Sequence, residues 1–140
     1  MNKLLLYCCF LPLKHLAITS GYGLRVHPIT KQYQFHSGID LQARHDTVYA
    51  ICCGVASVGF NERLGLYMKI NYGKLCCSYG HLSDVLISDP QVTTGEPVAI
   101  TGATGRVTGE HLHLSISYYG RPLDPLKFLY QLTIKSNNHE

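Results

Sequence analysis

At 140 residues and 46% hydrophobic content, the chain is long enough for one globular domain with a substantial core. Thirteen Gly, ten Tyr and only 15% charged residues favour short strands joined by turns over helices laced with ion pairs. The net charge of +3 comes from scattered Lys and Arg, with no basic block and no interleaved aromatics, so no nucleic-acid partner is expected.

Residues 1–16 begin with Met1-Asn2-Lys3 and an apolar run through Leu13. A basic start and a short hydrophobic stretch suit an export signal, and the run is too short to span a membrane as a helix. No small-residue cleavage site follows it. An export signal and an apolar packing arm or first core strand therefore both stand as readings of 1–16. The domain is expected over 17–132, and 133–140 reads as a flexible tail.

Strand signals dominate from residue 17. Residues 18–23 look like a short strand entering a turn, and 26–30 like a loop pinned by Pro28. Residues 48–59 form two apolar stretches bent around Gly54. Residues 66–70 alternate, 71–74 read as a hairpin turn, and 75–79 return as the partner strand, delivering His81 just past its end. Residues 94–102 are a turn and a strand, echoing 47–59, and 111–117 alternate again. Only 125–132 reads as helical. The pattern predicts a mainly β, compact antiparallel sandwich built of hairpins.

The six Cys fall in three adjacent pairs, at 8–9, 52–53 and 76–77, none with the spacing of a structural zinc site. They read as small buried hydrophobes in strands. A bridge between 52–53 and 76–77 requires those segments to adjoin.

The chemistry is concentrated in histidine. His111-Leu112-His113 lies in an alternating segment, and side chains two apart on a strand share a face, roughly 6.5–7 Å apart. One imidazole can grip a metal while the other faces a substrate. His36 and Asp40, in Phe35-His36-Ser37-Gly38-Ile39-Asp40-Leu41, would bring the count to three protein ligands, the number catalytic zinc takes with one position left for water. In a chain with eight His, each motif alone is weak, and an isolated His is most often a solvated or core-bonded one.

Taken together, residues 18–129 resemble the lysostaphin-type (LytM-like) zinc metalloendopeptidases, which cut peptidoglycan. The resemblance is carried by Ile18-Thr19-Ser20-Gly21-Tyr22-Gly23-Leu24-Arg25-Val26-His27-Pro28, by the segment around His36 and Asp40, by Tyr79-Gly80-His81-Leu82-Ser83, and by Gly102-Ala103-Thr104-Gly105-Arg106-Val107-Thr108-Gly109-Glu110-His111-Leu112-His113. It implies one Zn²⁺ per chain on His36, Asp40 and His113, with His81 and His111 as the catalytic, non-ligand histidines. It also implies the family's duplicated hybrid-motif, barrel-like β fold, with peptidoglycan stem peptides and cross-bridges as partners, in the periplasm or outside the cell. Arg25 is a candidate to pair with a stem-peptide carboxylate. The segment from Arg25 to Pro28 resembles members that cut direct D-alanyl cross-links more than those that cut glycine bridges. Two features depart from the family: Arg63-Leu64-Gly65-Leu66-Tyr67, where many members carry a glycine-rich run ending in Asn, and the Cys pairs.

Two rival classes are weaker. A catalytically silent LytM-like module that binds or activates at the cell wall would have lost ligands, whereas all five positions are filled. A lipoyl-type carrier needs a modifiable lysine at a hairpin tip, and Lys74 lacks the flanking pattern. The chain reads as a bare catalytic module.

Overall fold

The alternation of residues 111–117 becomes β11 (His111–Tyr118), whose Leu112, Leu114 and Ile116 are 0–1% exposed. Its other face carries the histidines. In the computed structural model, which describes residues 9–137, β11 lies at the middle of an antiparallel sheet. On one side it pairs with β4 (Ile39–Gln42), which pairs with β1 (Ile18–Ser20). On the other it pairs with β8 (Leu75–Val85), followed outward by β7 (Gly65–Tyr72), β6 (Gly54–Asn61) and β9 (Gln91–Val92). β12 (Arg121–Leu123) adds to β11, and β2 (Gly23–Val26) with β3 (Tyr33–His36) forms a separate hairpin. The mainly β, antiparallel class is as expected; the main sheet is branched and open, without closing into a barrel.

The branch is at β8. Its first part, through Gly80, runs between β7 and β11, with His113 opposite Gly80. From Leu82 onward it pairs with β10 (Pro97–Thr101), which in turn pairs with β5 (Thr47–Tyr49). The two segments that echo one another in sequence thus meet as partner strands. At the fork, Met68 faces Tyr79 and Leu66 faces Leu82, so β8 holds one residue more than β7. This is a β-bulge at Gly80-His81. It corrects the expected position of His81 just past a strand end: the strand absorbs the extra residue and runs on to Val85.

Tyr79 is fully buried, and its hydroxyl accepts the Ile51 N–H at 3.0 Å, tying the centre of the sheet to the chain after β5. Residues 9–13 pack across the same region. Phe10 N–H donates to Ile51 O, Tyr49 N–H donates to Pro12 O, and Leu13 is 3% exposed. Residues 1–8 lie outside the described part, and with them most of the run read as an export signal.

Cys52 and Cys77 are buried in the core. Cys9 Sγ lies 2.9 Å from Cys52 Sγ. The segments at 52–53 and 76–77, which a bridge between them would need side by side, do not pair as strands, because β8 pairs with β7, β11 and β10. Cys52 instead meets Cys77 through a side-chain hydrogen bond, which together with burial pushes its thiol well up and keeps it neutral.

The helix starts where Asp124-Pro125 places it. Asp124 Oδ1 accepts the Leu126 N–H at 3.0 Å as a cap, and proline occupies the first helical position. α1 (Pro125–Asn137) buries Phe128, Leu129 and Leu132 and continues into residues the sequence assigns to the tail. Residues 138–140 lie outside the described part.

Two loops lock together beside the fork. Gly65 has φ +63° and Gly105 φ +85°; a Cβ on Gly65 would come within 2.3 Å of the Thr104 carbonyl carbon, and one on Gly105 within 2.3 Å of Gly65 N. Only glycine suits either position. Gly65→Ala is expected to lose at least about 1–3 kcal/mol from the left-handed backbone alone. Urea unfolding measures it, and an unchanged midpoint would show that the loops are not held by this contact.

Candidate active site

The register of β4 and β11 sets Asp40 opposite His113 and Gln42 opposite His111. Ile39 and Leu41 fill the core on one face, leaving Asp40 on the other with both histidines. His36 ends β3, and the turn through Ser37-Gly38 carries it back over β11. A Cβ on Gly38 would lie 2.4 Å from Leu114 O and 2.9 Å from the His113 ring, so glycine alone permits this approach.

Three polar atoms converge. His113 Nδ1 is 3.0 Å from Asp40 Oδ1, His36 Nε2 is 3.4 Å from the same oxygen, and His36 Nε2 is 3.2 Å from His113 Nδ1. All three residues are buried, at 7–8% exposure. His36 Nδ1 lies 2.9 Å from Gly21 O. A carbonyl only accepts, so Nδ1 carries the proton and Nε2 offers a lone pair. Lone pairs this close need a proton or a cation between them. One ligand atom from each of His36, Asp40 and His113 lies within 4.8 Å of the others, and two imidazoles with one carboxylate suit zinc.

The remaining two histidines sit beside this cluster. The bulge gives His81 φ 61°, a left-handed conformation that turns its side chain out of the strand's alternation. Its N–H donates to Leu64 O at 2.7 Å and its Nδ1–H to Thr104 O at 2.8 Å. His111 Nδ1–H donates to Gly109 O at 3.0 Å, and its Nε2 is 3.5 Å from Asp40 Oδ1. The two rings are 4.7 Å apart between centroids. Each is therefore anchored through Nδ1 to a backbone carbonyl, leaving Nε2 as an acceptor. Arg25, on β2, reaches within 3.9 Å of Asp40 Oδ2 at the groove's edge.

All six residues singled out in the sequence line one open groove of about 520 Å³. Sequence reasoning missed what holds them. Thr104 Oγ1 donates to Leu82 O at 2.7 Å and accepts the Leu66 N–H at 3.0 Å, so its carbonyl is fixed where His81 needs it. The glycines around Thr104 signal close backbone approach, but no sequence pattern names the atoms approached.

Burial opposes charge on Asp40, yet hydrogen bonds and attraction from His113 and His36 outweigh it and hold the carboxyl far below its usual range. Burial lowers His81 to about 4, with the bond to Thr104 O offsetting only part and the His111 and His113 charges lowering it further. Burial likewise lowers His113 against the pull of Asp40. At neutral pH burial therefore leaves His81 and His113 neutral beside the ionised Asp40.

The sign for stability follows from His81. Between its ordinary 6.5 and about 4, the unfolded chain binds the proton and the folded one does not. Stability of the metal-free protein should thus fall as pH drops through that window. Asp40, with a depressed folded pKa, adds a further loss below its ordinary 3.8. NMR titration of the metal-free protein is expected to show His81 neutral at pH 5.5; a midpoint near 6.5 would contradict the burial argument.

Residues 34–125 match the model of Peptidase family M23. The chain is 36% identical over 120 residues to DD-carboxypeptidase/endopeptidase Mpg of Neisseria meningitidis, covering 82% of this chain and 27% of that protein. It is 37% identical over 107 residues to peptidoglycan DD-endopeptidase ShyA of Vibrio cholerae, covering 74% and 25%. The chain thus spans about a quarter of the length of these relatives. Among solved structures, a zinc-containing peptidase from Vibrio cholerae superposes with a TM-score of 0.75 at 32% identity, covering 84% of this chain and 39% of that one. With residues 34–125, about two thirds of its length, matched, the chain belongs to peptidase family M23.

Proposed function

We propose that this chain is a zinc-dependent endopeptidase that hydrolyses peptide cross-links of bacterial peptidoglycan. The observation that carries the reading is the convergence of His36 Nε2, Asp40 Oδ1 and His113 Nδ1 in an open groove, with two further imidazoles alongside. His36, Asp40 and His113 would hold one Zn²⁺ per chain. When bound, zinc supplies Lewis acidity, bringing the pKa of a water toward neutrality and polarising a carbonyl oxygen.

The side chains supply the proton chemistry. His81, kept neutral by burial, and His111 are both held through Nδ1, and each can take a proton at Nε2. The imidazolium so formed carries an Nε2–H that can hydrogen-bond a developing oxyanion or protonate the leaving amine. Among the described residues, Asp40 is the sole carboxylate lining the groove, which gives no acid pair for glycoside hydrolysis there and makes an amide the fitting target. Relatives named peptidoglycan DD-endopeptidases support direct D-alanyl cross-links as the substrate. Arg25, which lines the groove, is the proposed contact for a stem-peptide carboxylate. Such a substrate places the working protein in the periplasm or outside the cell. Among the described residues, no helix is long and apolar enough to cross a membrane. The silent-module alternative is not favoured, because every ligand and imidazole position is filled.

Purified protein is expected to carry one zinc per chain, and His113→Ala to lose most of it; full occupancy in that variant would refute the ligand set. His81→Ala and His111→Ala are expected to keep zinc while losing about 10²–10⁴ in turnover. Wild-type turnover in both would remove them from the chemistry. Mass spectrometry of digested sacculi, beside walls with pentaglycine bridges, tests the substrate: release of glycine-terminated peptides alone would transfer the assignment to glycine bridges.

A further inference from the structure

The groove contains an asymmetry that zinc binding does not explain. Its formal charges are Arg25, Arg63 and Arg106 against the single carboxylate of Asp40, with no Lys or Glu among the lining residues. Asp40 is already engaged by three imidazoles and Arg25. Among the described residues, Arg63 and Arg106 have no acidic side chain within ion-pair distance. Both charges nevertheless act inward: that of Arg63 bears on His113 and that of Arg106 on His27, which also lines the groove.

Their position follows from the sheet order. Arg25 is carried by the β2–β3 hairpin, on the β4 side of β11 where His36 and Asp40 lie. Arg63 sits in the turn between β6 and β7, on the β8 side, beyond the His81 bulge. Arg106 joins it there: its N–H donates to Arg63 O at 3.1 Å, next to the Gly65–Gly105 contact. The backbone thus pairs the two guanidinium-bearing residues on one wall. His27 contributes from the facing hairpin. Its Nδ1 accepts the N–H groups of Ile29 and Thr30 at 3.2 Å, so its proton is on Nε2, a donor.

We infer that Arg63 and Arg106 form an anion subsite that takes a free carboxylate of the peptide substrate, across the proposed metal centre from Arg25. Resting on the peptidoglycan reading, this makes the preferred substrate a cross-linked peptide with unamidated carboxylates flanking the scissile bond. Guanidinium groups recognise carboxylates through paired N–H donors, and a primary amide in the same place offers no charge and only one acceptor oxygen.

The test uses the zinc-loaded full chain and two synthetic direct-cross-linked peptide dimers, identical except that one has its stem carboxylates amidated. Wild type is expected to favour the free-acid dimer by about ten-fold in kcat/KM, expressed mainly in KM. Arg63→Gln and Arg106→Gln should each bring the ratio toward one. Lys74→Gln, which removes a cation from the β7–β8 turn away from the groove, should keep it and so controls for net charge. Equal turnover of the two dimers by wild type, or a preference untouched in both arginine variants, would overturn the subsite while leaving the endopeptidase reading in place. Binding of both dimers is followed by calorimetry in parallel. If neither dimer is cut, the endopeptidase reading fails. A binding preference that disappears in the arginine variants would still sustain the subsite, and equal binding would remove it.

Discussion

The pairing of Asp40 with His113 across β4 and β11 is the constraint on which the rest of the site depends. A side chain on a strand has one face or the other, and a slip of one residue would send both polar groups into the core while lifting Leu41 and Leu112 out of it. Both faces of these strands are buried around the cluster, so the apolar residues enforce the register that the polar ones use. The third member, His36, comes from a different hairpin and reaches the cluster only because Gly38 lets that hairpin lie against Leu114 and His113. Core packing, strand register and one absent Cβ together bring three donor atoms to one point.

Electrostatically, the site is a carboxylate kept ionised in a place that discourages charge, beside His81 and His113, which the same burial keeps neutral. Three of the four imidazoles hand their Nδ1 proton to a backbone carbonyl, those of Gly21, Thr104 and Gly109. These carbonyls belong to loops outside the paired strands, so the strands place the rings and the loops choose their tautomers. A preorganised set of this kind has little reorganisation left to do when charge develops nearby.

Much of this was legible from the chain because strand periodicity is a strong signal. His111 and His113 two apart, Asp40 four after His36, and apolar residues between them already put the polar groups on one face. The antiparallel hairpins around 66–79 and the helix after Asp124-Pro125 were legible for the same local reasons. The rest was hidden because it depends on contacts between distant segments. Nothing near Gly80 announces that β8 carries an extra residue and changes partner there, yet the bulge is what turns His81 toward the groove. Thr104 looks like one more turn residue until its hydroxyl is seen bridging Leu66 and Leu82. The closeness of Cys9 to Cys52 joins segments 43 positions apart, a separation at which spacing says nothing.

The Gly65–Gly105 contact has a consequence for how this groove can diversify. Two backbones in van der Waals contact have no side chain between them to trim or enlarge, so the loops bearing Arg63 and Arg106 behave as one rigid ledge. Mutation can change what the ledge presents, by altering the heads of its side chains, but it has no gradual route to moving the ledge itself. Selection acting on a narrow or broad diet of substrates would therefore be expected to work through chemical identity at the rim, and a wider or tighter cleft would require replacing the loops as a pair.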